Sequence, residues 1–303
     1  MQTLTPIPTL TWLPITHAVR AQYLACAAAS PTRSADYAFS NLYLWDKTYH
    51  QSVAFWGDLA VVRFANGDGT HRYLFPVGGG DLAPVLDLLR AAARAEGIPL
   101  LLVGVTEPQR KRLLALCPDC EAEQTRDYFD YLYTAASLAT LAGKKLHGKR
   151  NHVNAFCAAH AFEVRTLTPA DFNTCRRIVA EWAAAHESES VNAERGAILR
   201  CFDAFEKLEL LGALLVADGQ PVAFTVGSVI TPDTFCVHFE KTLPTWESAY
   251  PVINRAFVRT VLEHHPEIVY INREDDMGLE NLRASKLSYR PTELLVKYAV
   301  RVR

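Results

Sequence analysis

The stretch Leu210-Leu-Gly-Ala-Leu-Leu-Val-Ala-Asp-Gly-Gln-Pro-Val-Ala-Phe-Thr-Val-Gly-Ser-Val229 decides how this chain is read. Two apolar runs of strand length flank Asp218-Gly219. Both turn residues tolerate the positive φ of a type I′ turn, so the pattern predicts an antiparallel hairpin over 210–217 and 220–229. A third strand is expected over 234–240. Upstream, apolar residues at helical spacing predict helices over 169–185 and 193–205, with Thr168 and Asp171 suited to the first start. Downstream the order is a helix over 250–264, closed by His265 and Pro266, then a strand over 268–271, a short helix over 279–286 and a strand over 293–300.

The first half follows a related grammar. Helix-like stretches cover 21–29 and the aromatic-rich 37–49. Strands are expected over 53–56, 59–64 and 73–76, with Gly57-Asp58 and Asn66-Gly67-Asp68-Gly69 as turns. Leu82, Val85, Leu86, Leu89 and Ala93 recur at i, i+3, i+4, which predicts an amphipathic helix over 82–96 ended by Gly97. A buried strand over 100–105, a helix over 108–116 and a strand over 128–133 complete this half. The fold class is α/β, of the α+β mixed-sheet kind. Domains are expected over 1–137 and 138–303, since 303 residues correspond to about two domains.

Composition narrows the function. Lys and Arg total 31 against 33 Asp and Glu, a net charge of -2, which excludes a nucleic-acid coat over the whole surface but leaves room for a local basic patch. No uncharged apolar run approaches the roughly 18 residues of a membrane span, and Pro6, Pro8 and Pro14 break any secretory leader, so a cytoplasmic protein is expected. The seven cysteines are scattered and odd in number, against a disulfide framework. Cys117-Pro-Asp-Cys120 lacks the second pair of a zinc ribbon, and Glu274, Asp275 and Asp276 lack a second anchor for Mg²⁺, so no metal is expected.

Three constellations carry chemistry. Gly143-Lys-Lys-Leu-His-Gly-Lys-Arg-Asn-His-Val-Asn-Ala-Phe156 holds Lys144, Lys145, His147, Lys149, Arg150, Asn151 and His152 without one acid, which suits a phosphate or polyanion as well as a solvated helix. Ile271-Asn-Arg-Glu-Asp-Asp-Met-Gly278 puts Asn272, Arg273, Glu274, Asp275 and Asp276 in the loop after a buried strand, where α/β sites are built. Arg283 and Lys286 follow on the next helix, where a surface ion pair with Glu280 or a carboxylate of the loop is the plain alternative. His238 and Glu240 share a face of a central strand by period two, as a satisfied pair or as a base with its orienting partner. The loop 241–249 contains no glycine, unlike the pyrophosphate-binding turn of enzymes that use coenzyme A.

At these residues the chain resembles a known family. Asp130-Tyr-Leu-Tyr133, the basic string from Leu138 to Phe156, His238-Phe-Glu-Lys241, Ile271 to Gly278, Leu282-Arg-x-x-Lys-Leu-Ser-Tyr289 and Phe39-Ser-Asn-Leu-Tyr-Leu-Trp45 look like the bacterial DUF2156 family. That family is similar to the C-terminal domain of phosphatidylglycerol lysyltransferases. The resemblance implies two tandem Gcn5-related N-acetyltransferase (GNAT)-like domains, with the family motifs in the second. It also implies kinship to enzymes that take aminoacyl-tRNA as donor, the Fem ligases among them.

The expected function is therefore aminoacyl transfer from aminoacyl-tRNA, rather than from acyl-CoA, to an amine or hydroxyl acceptor. Partners would be tRNA and a small-molecule or lipid-headgroup acceptor. His238, Glu240 and Asp275 are the expected catalytic residues. Lys144, Lys145, His147, Lys149, Arg150 and Asn151 would bind the donor. Asn272, Arg273, Glu274, Asp276, Arg283, Lys286 and Tyr289 would bind the acceptor. A CoA-dependent N-acyltransferase and a non-catalytic tRNA- or phosphometabolite-binding protein remain the alternatives.

Overall fold

A computed structural model describes residues 9–303. The Asp218-Gly219 hairpin forms as read. Asp218 and Gly219 have φ of +50° and +78°, and they join the strands Leu211–Ala217 and Gln220–Thr231. From this hairpin a seven-stranded mixed sheet extends in both directions. Edge to edge it runs Glu293–Leu295, Asp130–Thr134, Tyr270–Asn272, Thr234–Thr242, Gln220–Thr231, Leu211–Ala217 and Phe162–Thr166. The helix Tyr250–His264 buries Val252, Ile253, Phe257, Val258 and Val261. Phe224, Phe235, Phe239 and Phe257 are fully buried, each contributing about 1.5–3 kcal/mol by leaving water.

Within this sheet one pairing is parallel. Thr234–Thr242 runs alongside Tyr270–Asn272 as far as Cys236 opposite Asn272. Beyond that pair the shorter strand ends, while Thr234–Thr242 continues against Gln220–Thr231. The loop 273–276 thus leaves at the carboxyl end of a parallel strand, the usual place for a site in such sheets.

A second mixed sheet has eight strands. Its path is Leu13–Pro14, Gln51–Trp56, Leu59–Ala65, His71–Leu74, Leu100–Thr106, Lys297–Val302 and Glu121–Gln124, with Val77–Gly78 paired to Leu59–Ala65. The helix Leu82–Ala95 buries the five predicted apolar residues. The Asp81 carboxylate caps it by accepting from Ala83 N–H at 3.1 Å, and Gly97, at φ +75°, lets the chain leave.

The chain divides into two compact units, each with one of these sheets. One holds the described residues up to Thr32, Trp45–Arg126 and Val296–Arg303; the other holds Arg33–Leu44 and Asp127–Leu295. This is not a single cut after residue 137. The strand expected over 128–133, read as the end of the first half, lies at Asp130–Thr134 in the sheet of the second unit. The single final strand expected over 293–300 is two: Glu293–Leu295 pairs with Asp130–Thr134, while Lys297–Val302 pairs with Leu100–Thr106. Besides the two-residue strands Leu13–Pro14 and Val77–Gly78, two longer strands had no sequence signal. Glu121–Gln124 is exposed throughout and Phe162–Thr166 nearly so, so neither edge shows the alternation that one buried face imposes. Among the described residues no helix is long and apolar enough to cross a membrane.

The helix expected over 169–185 starts as a 3-10 turn, Pro169–Asp171, before the α-helix Phe172–Ala185. Asp171 holds that start. Its carboxylate accepts from Arg165 at 2.7 and 2.5 Å, and from the Thr168 N–H and hydroxyl at 3.0 and 2.8 Å. The Arg165 hydrogen bonds, opposed by burial and aided by Thr168, hold the carboxyl down to about 2. A depressed carboxylate stabilises the fold above its unfolded pKa of about 4, and that contribution fades as pH falls towards 2. Asp171→Asn is therefore expected to cost about 1 kcal/mol at pH 7, limited by solvent screening at half-exposed Arg165. Denaturant melts should show the gap to wild type closing as pH falls from about 4 towards 2, from the unfolded carboxylate range down to the depressed folded one. A gap independent of pH would remove the charge from the explanation.

Candidate active site

The site residues lie in the second unit, where the strand Thr234–Thr242 passes the end of Tyr270–Asn272. A β-bulge sets the geometry. Val237 faces Gly227 and Phe239 faces Val226, so His238 is the extra residue of its strand. Gly227 makes the bulge possible, because a Cβ there would stand 2.1 Å from the Cys236 carbonyl oxygen. The bulge also breaks the alternation that would pair His238 with Glu240.

His238 pairs instead with Glu274. Its Nδ1 lies 2.9 Å from Glu274 Oε1, and its Nε2 lies 3.0 Å from Ser40 Oγ and 2.9 Å from Ser228 Oγ. The two hydroxyls are 2.9 Å apart. The His238 side chain is fully buried, while Glu274 keeps 22 % of its side-chain surface exposed. The array therefore reads from buried serines through an imidazole to a carboxylate that solvent reaches, the layout of a base held by an orienting partner. Cys236 lies beside it, its Sγ 3.6 Å from Glu274 Oε1. Burial, then the Glu274 charge, pushes that thiol well up.

Glu274 is aimed by its backbone. It sits at φ +57°, a region a non-glycine residue enters only when its surroundings hold it there. Asn272 Oδ1 accepts from the Glu274 N–H at 2.6 Å, and the Glu274 carbonyl accepts from Tyr131 N–H at 3.1 Å. Asn272 in turn donates to Asp130 at 3.0 Å and to the Arg33 carbonyl at 2.7 Å. Asp130, nearly fully buried, also accepts from Ala35 N–H at 2.9 Å. Arg33 pairs with Asp233 and stacks on the Tyr270 ring 4.0 Å away. These bonds fasten the segment 33–44, which brings Ser40 to His238.

Glu240 belongs to a different group. It accepts from Arg273 at 3.0 Å and from Asn254 at 3.2 Å. Burial works against the Arg273 charge, but Glu240 and the hydroxyls of Tyr133 and Tyr289 more than offset it, so its pKa is raised. This is a buried ion pair, and Glu240 is no partner of His238. Asp275 accepts from Met277 N–H at 3.1 Å and closes a turn. Of the three expected catalytic residues, only His238 is in the array.

The other expected acceptor residues build the loop. Asp276 is fully buried; it accepts from the Tyr131 hydroxyl at 2.5 Å and from Arg283 at 2.8 and 3.0 Å. Arg283 also reaches Asp127 at 2.6 Å, and of the two expected kinds of partner it takes the loop carboxylate rather than Glu280. Lys286 Nζ donates to the carbonyls of Arg273, at 2.6 Å, and of Asp275. Burial, then the Arg273 charge, pushes Lys286 down to about 8. Tyr289 is buried against Tyr133 and Arg273. Sequence reasoning missed Ser40, Ser228, Cys236, Asp130 and Asn254. For Ser40 and Asp130 a signal existed in the Phe39–Trp45 and Asp130–Tyr133 strings; nothing local marked the others.

The basic string forms a 3-10 turn, Lys144–Leu146, and the helix His147–Ala159. Lys144, Lys145, His147, Asn151 and His152 are exposed, with Asn151 Nδ2 3.4 Å from His147 Nδ1. Lys149 stands 4.3 Å from the Tyr289 ring centre, and burial, then Arg273, lowers its pKa. Arg150 is committed to the chain, donating to the carbonyls of Leu141 and Gly143 at 2.5 and 3.0 Å. Arg255 and Arg259 both donate to the Ala139 carbonyl, at 3.2 and 2.9 Å. Three arginines thus gather where the helix Ala135–Thr140 presents its negative end.

Comparison with known proteins agrees with this architecture. A conserved protein of unknown function from Bacteroides thetaiotaomicron has a crystal structure with a TM-score of 0.91 and 36 % identity, covering 97 % of this chain and 100 % of that one. The C-terminal domain (DUF2156) of a putative lysylphosphatidylglycerol synthetase from Agrobacterium fabrum gives a TM-score of 0.66 at 14 % identity, over 94 % and 92 % of the two chains. A tandem GNAT protein from the clavulanic acid biosynthesis pathway gives 0.55 at 14 %, over 96 % of each. The last two likenesses are of fold. An uncharacterised protein from Mycoplasmoides gallisepticum is 27 % identical over 180 residues, which span 57 % of this chain and only 56 % of that relative. Residues 28–301 match the model of the phosphatidylglycerol lysyltransferase C-terminal family, and the chain belongs to that family.

Proposed function

We propose that this protein is an acyltransferase with two GNAT-like units in tandem, moving an aminoacyl group from aminoacyl-tRNA to an amine or hydroxyl acceptor. The observation that carries the reading is the Glu274–His238 pair, backed by two serine hydroxyls, at the end of a parallel strand in a member of this family.

In this reading the acceptor amine attacks the ester carbonyl of the donor. The new C–N bond forms, the C–O bond to the terminal ribose breaks, and the amine proton passes to Glu274 and then to the leaving oxygen. Glu274 takes the proton because it is the end of the array that solvent reaches. His238 is a positioning residue, donating from Nδ1 to Glu274. Positioning the two substrates supplies about 7–11 kcal/mol and the base about 10²–10⁴-fold. The acid-free face at Lys144, Lys145 and His147 would hold donor phosphates.

The test is transfer of labelled amino acid from a mixed pool of charged tRNAs to amine and lipid-headgroup acceptors, with acetyl-CoA in a parallel reaction. Label appearing on an acceptor from tRNA supports the reading; acetylation alone replaces it with the CoA reading. The basic face makes its own prediction. Binding of tRNA should weaken steeply with salt, and Lys144→Ala with Lys145→Ala should flatten the log–log salt slope by roughly 1–2. A slope unchanged in the double variant would move the donor elsewhere.

A further inference from the structure

One cluster in the site is richer than proton transfer requires. One ligand atom from each of Cys236, His238 and Glu274 lies within 4.8 Å of the other two. His238 Nδ1 lies 2.9 Å from Glu274 Oε1, and Cys236 Sγ lies 3.6 Å from the same oxygen. Tetrahedral bonds of about 2.0–2.3 Å place neighbouring zinc ligands roughly 3.3–3.8 Å apart. The trio therefore needs shifts of only about an ångström to close on an ion.

The surroundings match a metal site in two further respects. A histidine that binds metal through one nitrogen nearly always has the other held by a hydrogen-bond partner. His238 Nε2 is held by two, Ser40 and Ser228. Glu274 is brought to the cluster by a left-handed backbone, fastened through its own N–H and carbonyl. We infer that Cys236, His238 and Glu274 form a Zn²⁺ site, with the fourth position left to water on the exposed side of Glu274.

The donor set selects the ion. Thiolate and imidazole favour zinc, whereas Mg²⁺ and Ca²⁺ take oxygen ligands. On binding, the Cys236 thiol gives its proton to solvent and its sulfur to the metal. One thiolate and one carboxylate then balance the two positive charges, so a buried site ends neutral. The sequence alone suggests no metal, because in the chain Glu274 stands beside Asp275 and Asp276, which face other partners. A bound ion would withdraw Glu274 and His238 Nδ1 from proton transfer, so zinc would act as an inhibitor. That consequence, unlike binding itself, rests on the transfer reading.

The test uses the full chain carrying Cys117→Ser and Cys120→Ser, stripped with a chelator and titrated with Co²⁺ as a spectroscopic probe. One equivalent should bind with a thiolate-to-cobalt charge-transfer band, and Zn²⁺ should displace it. Cys236→Ala should abolish the band, and Glu274→Gln should weaken binding roughly tenfold or more. Absence of stoichiometric binding, or a band that survives Cys236→Ala, overturns the assignment. If Cys236→Ala fails to fold by circular dichroism, Glu274→Gln decides alone, and undiminished affinity there overturns the site. The readout is metal per chain and its spectrum, so its outcome does not depend on whether transfer is seen.

Discussion

Glu274→Gln is expected to lower the rate of aminoacyl transfer by roughly 10²–10⁴-fold, the range for loss of a positioned general base. The substitution keeps the side chain's shape, and an amide oxygen can still accept from His238 Nδ1, which stands 2.9 Å from the carboxylate now. What disappears is the capacity to take a proton. The loss should fall on kcat, since the acceptor still docks, and an acceptor of lower pKa should recover part of it. His238→Asn should cost less than Glu274→Gln and should shift the pH profile, because His238 holds the base and does not meet the substrate. Steady-state rates and pH profiles on a demonstrated donor–acceptor pair would check both. A Glu274→Gln rate within threefold of wild type would end the role given to that carboxylate.

Arg283→Met is expected to destabilise the fold, because it takes the Arg283 charge from the buried Asp276 carboxylate, although Arg283 itself stays partly exposed. Asp276 has no exposed surface, and Arg283 supplies two of its hydrogen bonds, at 2.8 and 3.0 Å. Without Arg283 the carboxylate keeps the Tyr131 hydroxyl and the Gly278 N–H but loses the Arg283 charge. The lost contact to Asp127 matters less, because Asp127 is exposed and hydrated. The melting temperature should fall by a few degrees. Arg283→Met combined with Asp276→Asn should regain part of the loss, since the second change removes the stranded charge. Equilibrium denaturation of the two single variants and the double variant would measure this. A double variant as unstable as the sum of the singles would mean that the pair is not the source. In transfer assays of the folded variant, acceptor KM should stay near that of wild type, which separates a loop-building role from acceptor binding.

The elements legible in the sequence are those whose cause is local. Asp218-Gly219 declared its turn because few residue pairs accept two positive φ values in succession. Leu82, Val85, Leu86, Leu89 and Ala93 declared their helix because one face had to be buried. The edge strands Glu121–Gln124 and Phe162–Thr166 stayed silent because solvent meets both faces. The resemblance strings named the regions that matter, and the family match bears out that recognition over residues 28–301.

The pairing of side chains within those regions was a matter for the tertiary structure. Period two put His238 beside Glu240, but the bulge opposite Gly227 turned His238 to Glu274 and left Glu240 to Arg273 and Asn254. Ser40 reached His238 across 198 residues because Asp130, Asn272 and Asp233 fasten the segment that carries it. Asp275 and Asp276, adjacent to Glu274 in the chain, point to a turn and to the partly exposed Arg283. By itself the sequence determined the hairpin, the amphipathic helices and the polar strings, since turn chemistry and hydrophobic periodicity act over a few residues. Which of those polar groups became a site, and which became scaffold, was decided by the tertiary structure, because a buried charge or hydrogen-bonding group takes whatever partner the packing brings within about 3 Å.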